Sequence, residues 1–186
     1  MKGKERAVPV SSKITPLGAA IYALAVFLTA VTQSCIGSGV GFFGTFPALG
    51  LCLCCAAGYF DGERVGATVG VGVGVCIDAL GSSGFSLVPV VYAALGYFVG
   101  CFSATCRGRM PFGQCFLSYC VRLGCAVGVG AVTTVAGIFI GARTPHLLSA
   151  IFLVALPESV ISFVAGLFFW LAYRIIYIKR TAKKAE

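Results

Sequence analysis

Two charged side chains stand deep inside apolar runs of this sequence. Arg122 lies about ten residues into the run 112–140, and Glu158 about ten residues into the run 147–178. At roughly 1.5 Å per residue, both fall near the middle of an apolar layer about 30 Å thick. An unpaired charge there costs roughly 2.5–3.5 kcal/mol on insertion scales. The two are therefore expected to approach each other, with Ser118, Tyr119 and Ser162 as further polar partners. Pro157 precedes Glu158, frees a backbone carbonyl and is expected to kink its helix. Polar groups beside a kink serve transport or the docking of a partner helix. Asp78 ends a third apolar stretch, where it can cap the Gly81-Ser82-Ser83-Gly84 turn or couple to an ion.

Other chemistry is thinly supplied. The ten cysteines suggest metal or disulfide chemistry, but Cys52, Cys54, Cys55, Cys76, Cys101, Cys115, Cys120 and Cys125 all sit in apolar runs. Cys115, Cys120 and Cys125 step by about 140° on a helix and share no face. Cys52 and Cys55 form a C-x-x-C without a second one, far from His146, the chain's one histidine. Cysteine as a small apolar filler is the favoured reading, with a cytosolic redox site as the alternative. His146 reads as a solvated loop residue. There is no Walker loop, H-E-x-x-H, G-x-S-x-G or dinucleotide fingerprint. No catalytic, metal or cofactor site is expected, and the chain does not read as an enzyme.

The elements that hold these residues follow from composition. Of 186 residues, 59% are hydrophobic and 11% charged, against roughly 25% charged in soluble domains. So few charges cannot cover a water-facing surface, and the bilayer becomes the expected solvent. Apolar runs cover 16–36, 42–60, 65–80, 85–105, 112–140 and 147–178. Breaks fall at Gly37, Gly39, Gly41 and Gly44, at Asp61-Gly62-Glu63-Arg64, at Gly81–Gly84, at Arg107-Gly108-Arg109 and at Arg143–His146. The expectation is an all-α, polytopic membrane protein: residues 1–186 as one bundle of six transmembrane helices. With both ends inside, twelve of the fourteen Lys and Arg residues are cytoplasmic, and Arg143 is the one on the outside. The basic start followed by an apolar run reads as an uncleaved first helix. The net charge of +8 is accounted for by anionic membrane lipids, and no surface of the nucleic-acid-binding kind is seen.

Gly62, Gly66, Gly70 and Gly74 recur every fourth residue, and Asp78 continues the series. This ridge of minimal side chains allows a second helix to approach its backbone closely. Gly96 and Gly100 around Tyr97 are candidates for the matching surface, as are Gly124 and Gly128.

The stretch from Arg64 through the glycine ridge to Asp78-Ala-Leu, then Gly81–Phe85, leads on to Gly96-Tyr-Phe-Val-Gly100. It resembles the core of the bacterial rod shape-determining protein MreD family. Leu156-Pro157-Glu158, with the apolar run after it and the basic tail from Arg174, resembles that family's last helix. Ser159, Ser162 and Phe163 occupy a stretch where the family often has an asparagine, and the cysteine load is unusual for it. The resemblance implies a non-enzymatic scaffold of the cell-elongation machinery in the bacterial inner membrane. Its implied partners are an MreC-like membrane-anchored protein, an MreB-like cytoskeleton and the peptidoglycan polymerase and transpeptidase.

The alternative is the substrate-binding S-component of an energy-coupling-factor vitamin transporter. Such subunits are also small, six-helical and basic at both ends, with a fold thought similar to the MreD family's. Ala19-x-x-x-Ala23 could then dock the transporter's other subunits. That reading requires polar and aromatic residues converging on an outward-side pocket.

Overall fold

The computed structural model describes residues 16–36, 47–80, 87–103, 112–141 and 155–182. The expected turns at Gly37–Gly44, Gly81–Gly84, Arg107–Arg109 and Arg143–His146 lie outside the described residues, as do the basic residues before Pro16 and after Ala182. The described residues are helical throughout, apart from short links. They form α1 (Pro16–Val31), α2 (Leu49–Asp61), α3 (Glu63–Leu80), α4 (Val88–Ser103), α5 (Phe112–Gly141) and α6 (Leu156–Ala182). One turn of π-helix, Thr32–Ile36, extends α1.

Each helix begins where the local chemistry permits. Pro16 opens α1, a position where its missing N–H is no loss. Pro47 and Ala48 precede α2 in non-helical conformation, so α2 starts at Leu49, well inside the expected run 42–60. Between α2 and α3 the chain reverses on a single residue. Gly62 takes φ 108°, a value that L side chains rarely adopt, while its N–H still bonds to Gly58 O at 3.1 Å. Gly62 is therefore the turn residue as well as the first step of the glycine ridge, with its backbone against Gly100 of α4.

Side-chain contacts fix the directions. Gly50 meets Val73 and Gly58 meets Gly66, so α2 and α3 are antiparallel. Gly74 meets Pro89 and Gly66 meets Gly96, so α3 and α4 are antiparallel. Leu123 meets Gly166 and Phe116 meets Trp170, so α5 and α6 are antiparallel. Gln33 meets Gly50 and Tyr22 meets Asp61, so α1 and α2 are antiparallel as well. Tyr59 reaches Cys115, and Leu51 reaches Gly130, which aligns α5 with α1 and α3. Successive helices thus alternate in direction. Tyr22 near the start of α1 stacks on Tyr173 late in α6, centroids 6.4 Å apart, so the described chain starts and finishes at one end of the bundle.

Helix α2 is the hub. Residues 50–59 are all buried, and α2 touches each of the other five helices. Its sequence, Leu49-Gly-Leu-Cys-Leu-Cys-Cys-Ala-Ala-Gly58, alternates nothing; it is small or apolar on every face. Small side chains let neighbours approach from all sides, which is what a central helix needs. The other five helices turn large apolar side chains outward: Ile21, Leu24, Phe27 and Leu28 on α1, Val71 and Val75 on α3, and Val90 and Phe98 on α4. On α5 these are Leu117, Val121 and Val132, and on α6 Val160, Val164, Leu171, Ile175 and Phe168, the last 74% exposed. Two helical stretches, Gly113–Thr133 and Leu156–Ile175, are long and apolar enough to cross a membrane; the apolar stretches of α1, α2 and α4 are shorter.

Candidate functional site

The glycine ridge of α3 forms the closest packing in the bundle. A methyl group built on Gly66 would lie 2.6 Å from the Cα of Gly58 and 2.9 Å from the carbonyl carbon of Gly96. Gly70 faces the Tyr92–Ala93 backbone, Gly74 the backbone of Pro89, and Gly100 the backbone of Glu63. Gly66, Gly70 and Gly74 thus run along α4 residues Pro89, Tyr92, Gly96 and Gly100. Gly58 of α2 completes a three-helix junction with Gly66 and Gly96. The sequence pairing of α3 with Gly96 and Gly100 is seen here. The pairing of Gly124 and Gly128 with such a surface is not. Gly124 meets only a Phe163 ring carbon at 4.0 Å and Gly128 has no atom within 4 Å of an added methyl group, because both face outward. Spacing alone does not say which face of a helix another helix covers.

Two polar groups of residues close the hub at its ends. At the end where α2 starts, Gly50 N–H donates to Gln33 Oε1 at 3.0 Å, and Ala48 N–H donates to Ser162 Oγ at 2.9 Å. Side chains of α1 and α6 therefore cap α2 in trans, where Ala48 supplies no side-chain cap of its own. Gln33 also hydrogen-bonds the Tyr92 hydroxyl, and the Glu158 carboxylate is within electrostatic reach of that hydroxyl. Cys52 Sγ donates to Ser162 O at 3.1 Å.

At the opposite end the Tyr22 hydroxyl donates to Asp61 Oδ2, and Tyr173 lies against Tyr22 and stacks on Phe60 at 5.9 Å. An aromatic cluster follows. Tyr59 packs edge-on to Tyr119 at 5.2 Å, and Trp170 packs against Phe116 at 5.1 Å and Tyr119 at 6.1 Å. Buried hydroxyls find backbone acceptors: Tyr59 donates to Cys115 O and Tyr119 to Gly166 O, both at 2.9 Å. Arg122 lies over the Tyr59 ring at 5.6 Å, and Arg174 over Trp170 at 5.3 Å. Each places a cation on the electron-rich face of a ring.

The site residues named from the sequence fall as follows. Arg122 is one residue from Leu123, which meets Gly166. Glu158 lies about 12 Å further along α6, in its first turn. Side chains lean toward the N-terminus of their own helix, so on these antiparallel helices the two lean apart. Each has a tyrosine of a different helix as neighbour: Tyr59 for Arg122, Tyr92 for Glu158. Glu158 is therefore found beside the start of α2. Pro157 stands in the first turn of α6 as described, with Ala155 before it also helical, and the residues across which a kink would show lie outside the described residues. Asp78 is half-buried in the last turn of α3, and the turn it was expected to cap lies outside the described residues.

Sequence reading missed Gln33, Tyr22 and Asp61. Asp61 counted as part of a polar turn, yet it is the last residue of α2 and accepts a hydrogen bond from a residue 39 positions earlier. Cys52, Cys54 and Cys55 are buried thiols packed as small apolar residues. Among the described residues no three His, Cys, Asp or Glu side chains gather as a metal site would require. No protein-family model, curated protein or solved structure matches the chain.

Proposed function

We propose that the chain is a six-span protein of the bacterial inner membrane, with both ends cytoplasmic, acting as a non-enzymatic scaffold of the cell-elongation machinery. The observation that carries the membrane part is the inverted surface. Large apolar side chains point outward on five helices around a hub of small residues. In water that arrangement would expose far more apolar surface than a monomer tolerates; in lipid it is the stable one. Alternating helix directions agree with a chain that crosses an even number of times.

Support for the scaffold part comes from the resemblance to the MreD family. The residues that carry it, Gly66 to Asp78 and Gly96 to Gly100, are those that seat α3 on α4. On this reading the seam makes a rigid platform, and the outer faces of α1, α5 and α6 receive single helices from an MreC-like partner. MreB-like filaments and the peptidoglycan polymerase and transpeptidase are reached through it. The test is depletion in a rod-shaped host together with affinity purification from its membranes. Loss of rod shape and recovery of an MreC-like protein are expected. Normal rods on full depletion would refute the scaffold.

One observation favours the vitamin-transporter reading: Gln33, Tyr92 and Glu158 gather beside the start of α2, the outward end in this orientation. A small molecule that copurifies, with an ATPase partner, would select it over the scaffold.

A further inference from the structure

Helix α1 changes character at one point. Up to Ala30 it is anchored. Tyr22 bonds to Asp61, a Val26 methyl lies 3.4 Å from where a methyl group on Gly72 would stand, and Thr29 and Ala30 are buried. From residue 31 to residue 34 the side chains are only half-buried, and the α-helix gives way to the π turn Thr32–Ile36. The Thr32 hydroxyl donates to Leu28 O at 2.7 Å and so competes for an acceptor of the regular helix. Burial, helical geometry and backbone bonding therefore all weaken at the same place. Turns of this kind bend helices and are frequent at functional sites.

Gln33 ties the loosened turn to two other helices. Its Oε1 accepts from Gly50 N–H at 3.0 Å, and its side chain bonds to the Tyr92 hydroxyl. Gly50 leaves room for this approach: a methyl group there would lie 3.4 Å from Gln33 Oε1 and 2.9 Å from Tyr92 Cε2. Tyr92 is 9% exposed. We propose that the π turn after α1 is a strap over the start of α2, clasped by Gln33, which opens as one unit and uncovers Tyr92. Residues up to Ala30 stay in place while the turn from Thr32 swings away. The strap goes beyond the scaffold reading and is independent of it.

Amide hydrogen exchange of the full chain in mild detergent, resolved to single residues by mass spectrometry, tests this. A local opening exchanges the amides of one cooperative unit together, ahead of the core. Gln33→Met removes both bonds of the clasp. It should speed exchange at Thr32–Ile36 and at Gly50 by a common factor of about tenfold, while residues 54–58 keep their wild-type protection. Hydroxyl-radical footprinting should find Tyr92 oxidised faster in the same variant. Faster exchange at Gly50 alone would mean that Gln33 only caps α2, and would overturn the strap, as would unchanged exchange at both places. If residues 54–58 also lose protection, the variant has unfolded and the wild-type chain decides. There, Gly50 exchanging in step with Thr32–Ile36 supports the strap, and Gly50 exchanging as slowly as residues 54–58 overturns it.

Discussion

Gly66→Ala tests the seam most directly, because one methyl group meets two helices at once. The added carbon would lie 2.6 Å from Gly58 Cα and 2.9 Å from the Gly96 carbonyl carbon. Carbon atoms prefer separations of roughly 3.5–4.0 Å. Both obstacles are backbone, so neither α2 nor α4 can yield by a rotamer change, and α3 must shift by about 1 Å. Overpacking of this kind costs about 1–3 kcal/mol. Alanine returns up to about 1 kcal/mol as the better helix former. Gly128→Ala isolates that second effect, since nothing lies within 4 Å of the new methyl group. The same substitution should therefore act with opposite sign at the two sites. Gly66→Ala should lower stability and Gly128→Ala leave it unchanged or raise it, a gap of about 2 kcal/mol. Unfolding of each variant in mild detergent, followed by circular dichroism against added denaturing detergent, measures it. Equal stability of the two variants would refute the close approach of α2, α3 and α4.

Tyr22→Phe and Asp61→Ala should each destabilise by about 1–2 kcal/mol, because each removes one half of a part-buried hydrogen bond. The double variant should lose less than the sum, which a double-mutant cycle in the same unfolding assay resolves. Ser162→Ala should cost about 1–3 kcal/mol by leaving the Ala48 N–H without its acceptor. Its effect should be accompanied by faster amide exchange at the start of α2, read by mass spectrometry.

Much of this architecture was legible in the sequence because glycine and charge punctuate it. The Asp61-Gly62-Glu63-Arg64 break marks the α2–α3 turn. The four-residue glycine period locates the α3 face that α4 covers. What stayed illegible depended on which elements meet. Gly124 and Gly128 carry the same spacing as Gly66 and Gly70, yet they face outward. The apolar run around Cys52, Cys54 and Cys55 resembles its neighbours in hydropathy, and only assembly makes α2 the element buried on all sides. Tyr22 and Asp61, or Gln33 and Gly50, are distant in sequence and carry no local pattern that would join them. Counting residues into an apolar run gives a depth and no neighbour, so it could not show that Glu158 lies within electrostatic reach of Tyr92 on α4.

The placement of polarity explains how a bundle with such a hub can hold one arrangement. On the proposed membrane reading, lipid supplies no hydrophobic drive between helices, so small-residue contact must supply the attraction. Glycine and cysteine contacts are close but nearly featureless, and a smooth helix such as α2 could slide or rotate against its neighbours. The trans caps from Gln33 and Ser162 remove that freedom at one end of α2, and the Tyr22–Asp61 bond removes it at the other. A slip of α2 by one residue would break all three at once. In an apolar medium each lost partner is expensive, because no water replaces it. The seam therefore sets how closely the helices approach, and the polar ends set their register. A variant that lacks Gln33, Ser162 and Asp61 side-chain functions together should remain helical and membrane-bound yet lose a single α2 register. Cysteine cross-linking between α2 and α6 would report this as several cross-linked pairs in place of one, and a single surviving pair would mean that close packing alone fixes the register.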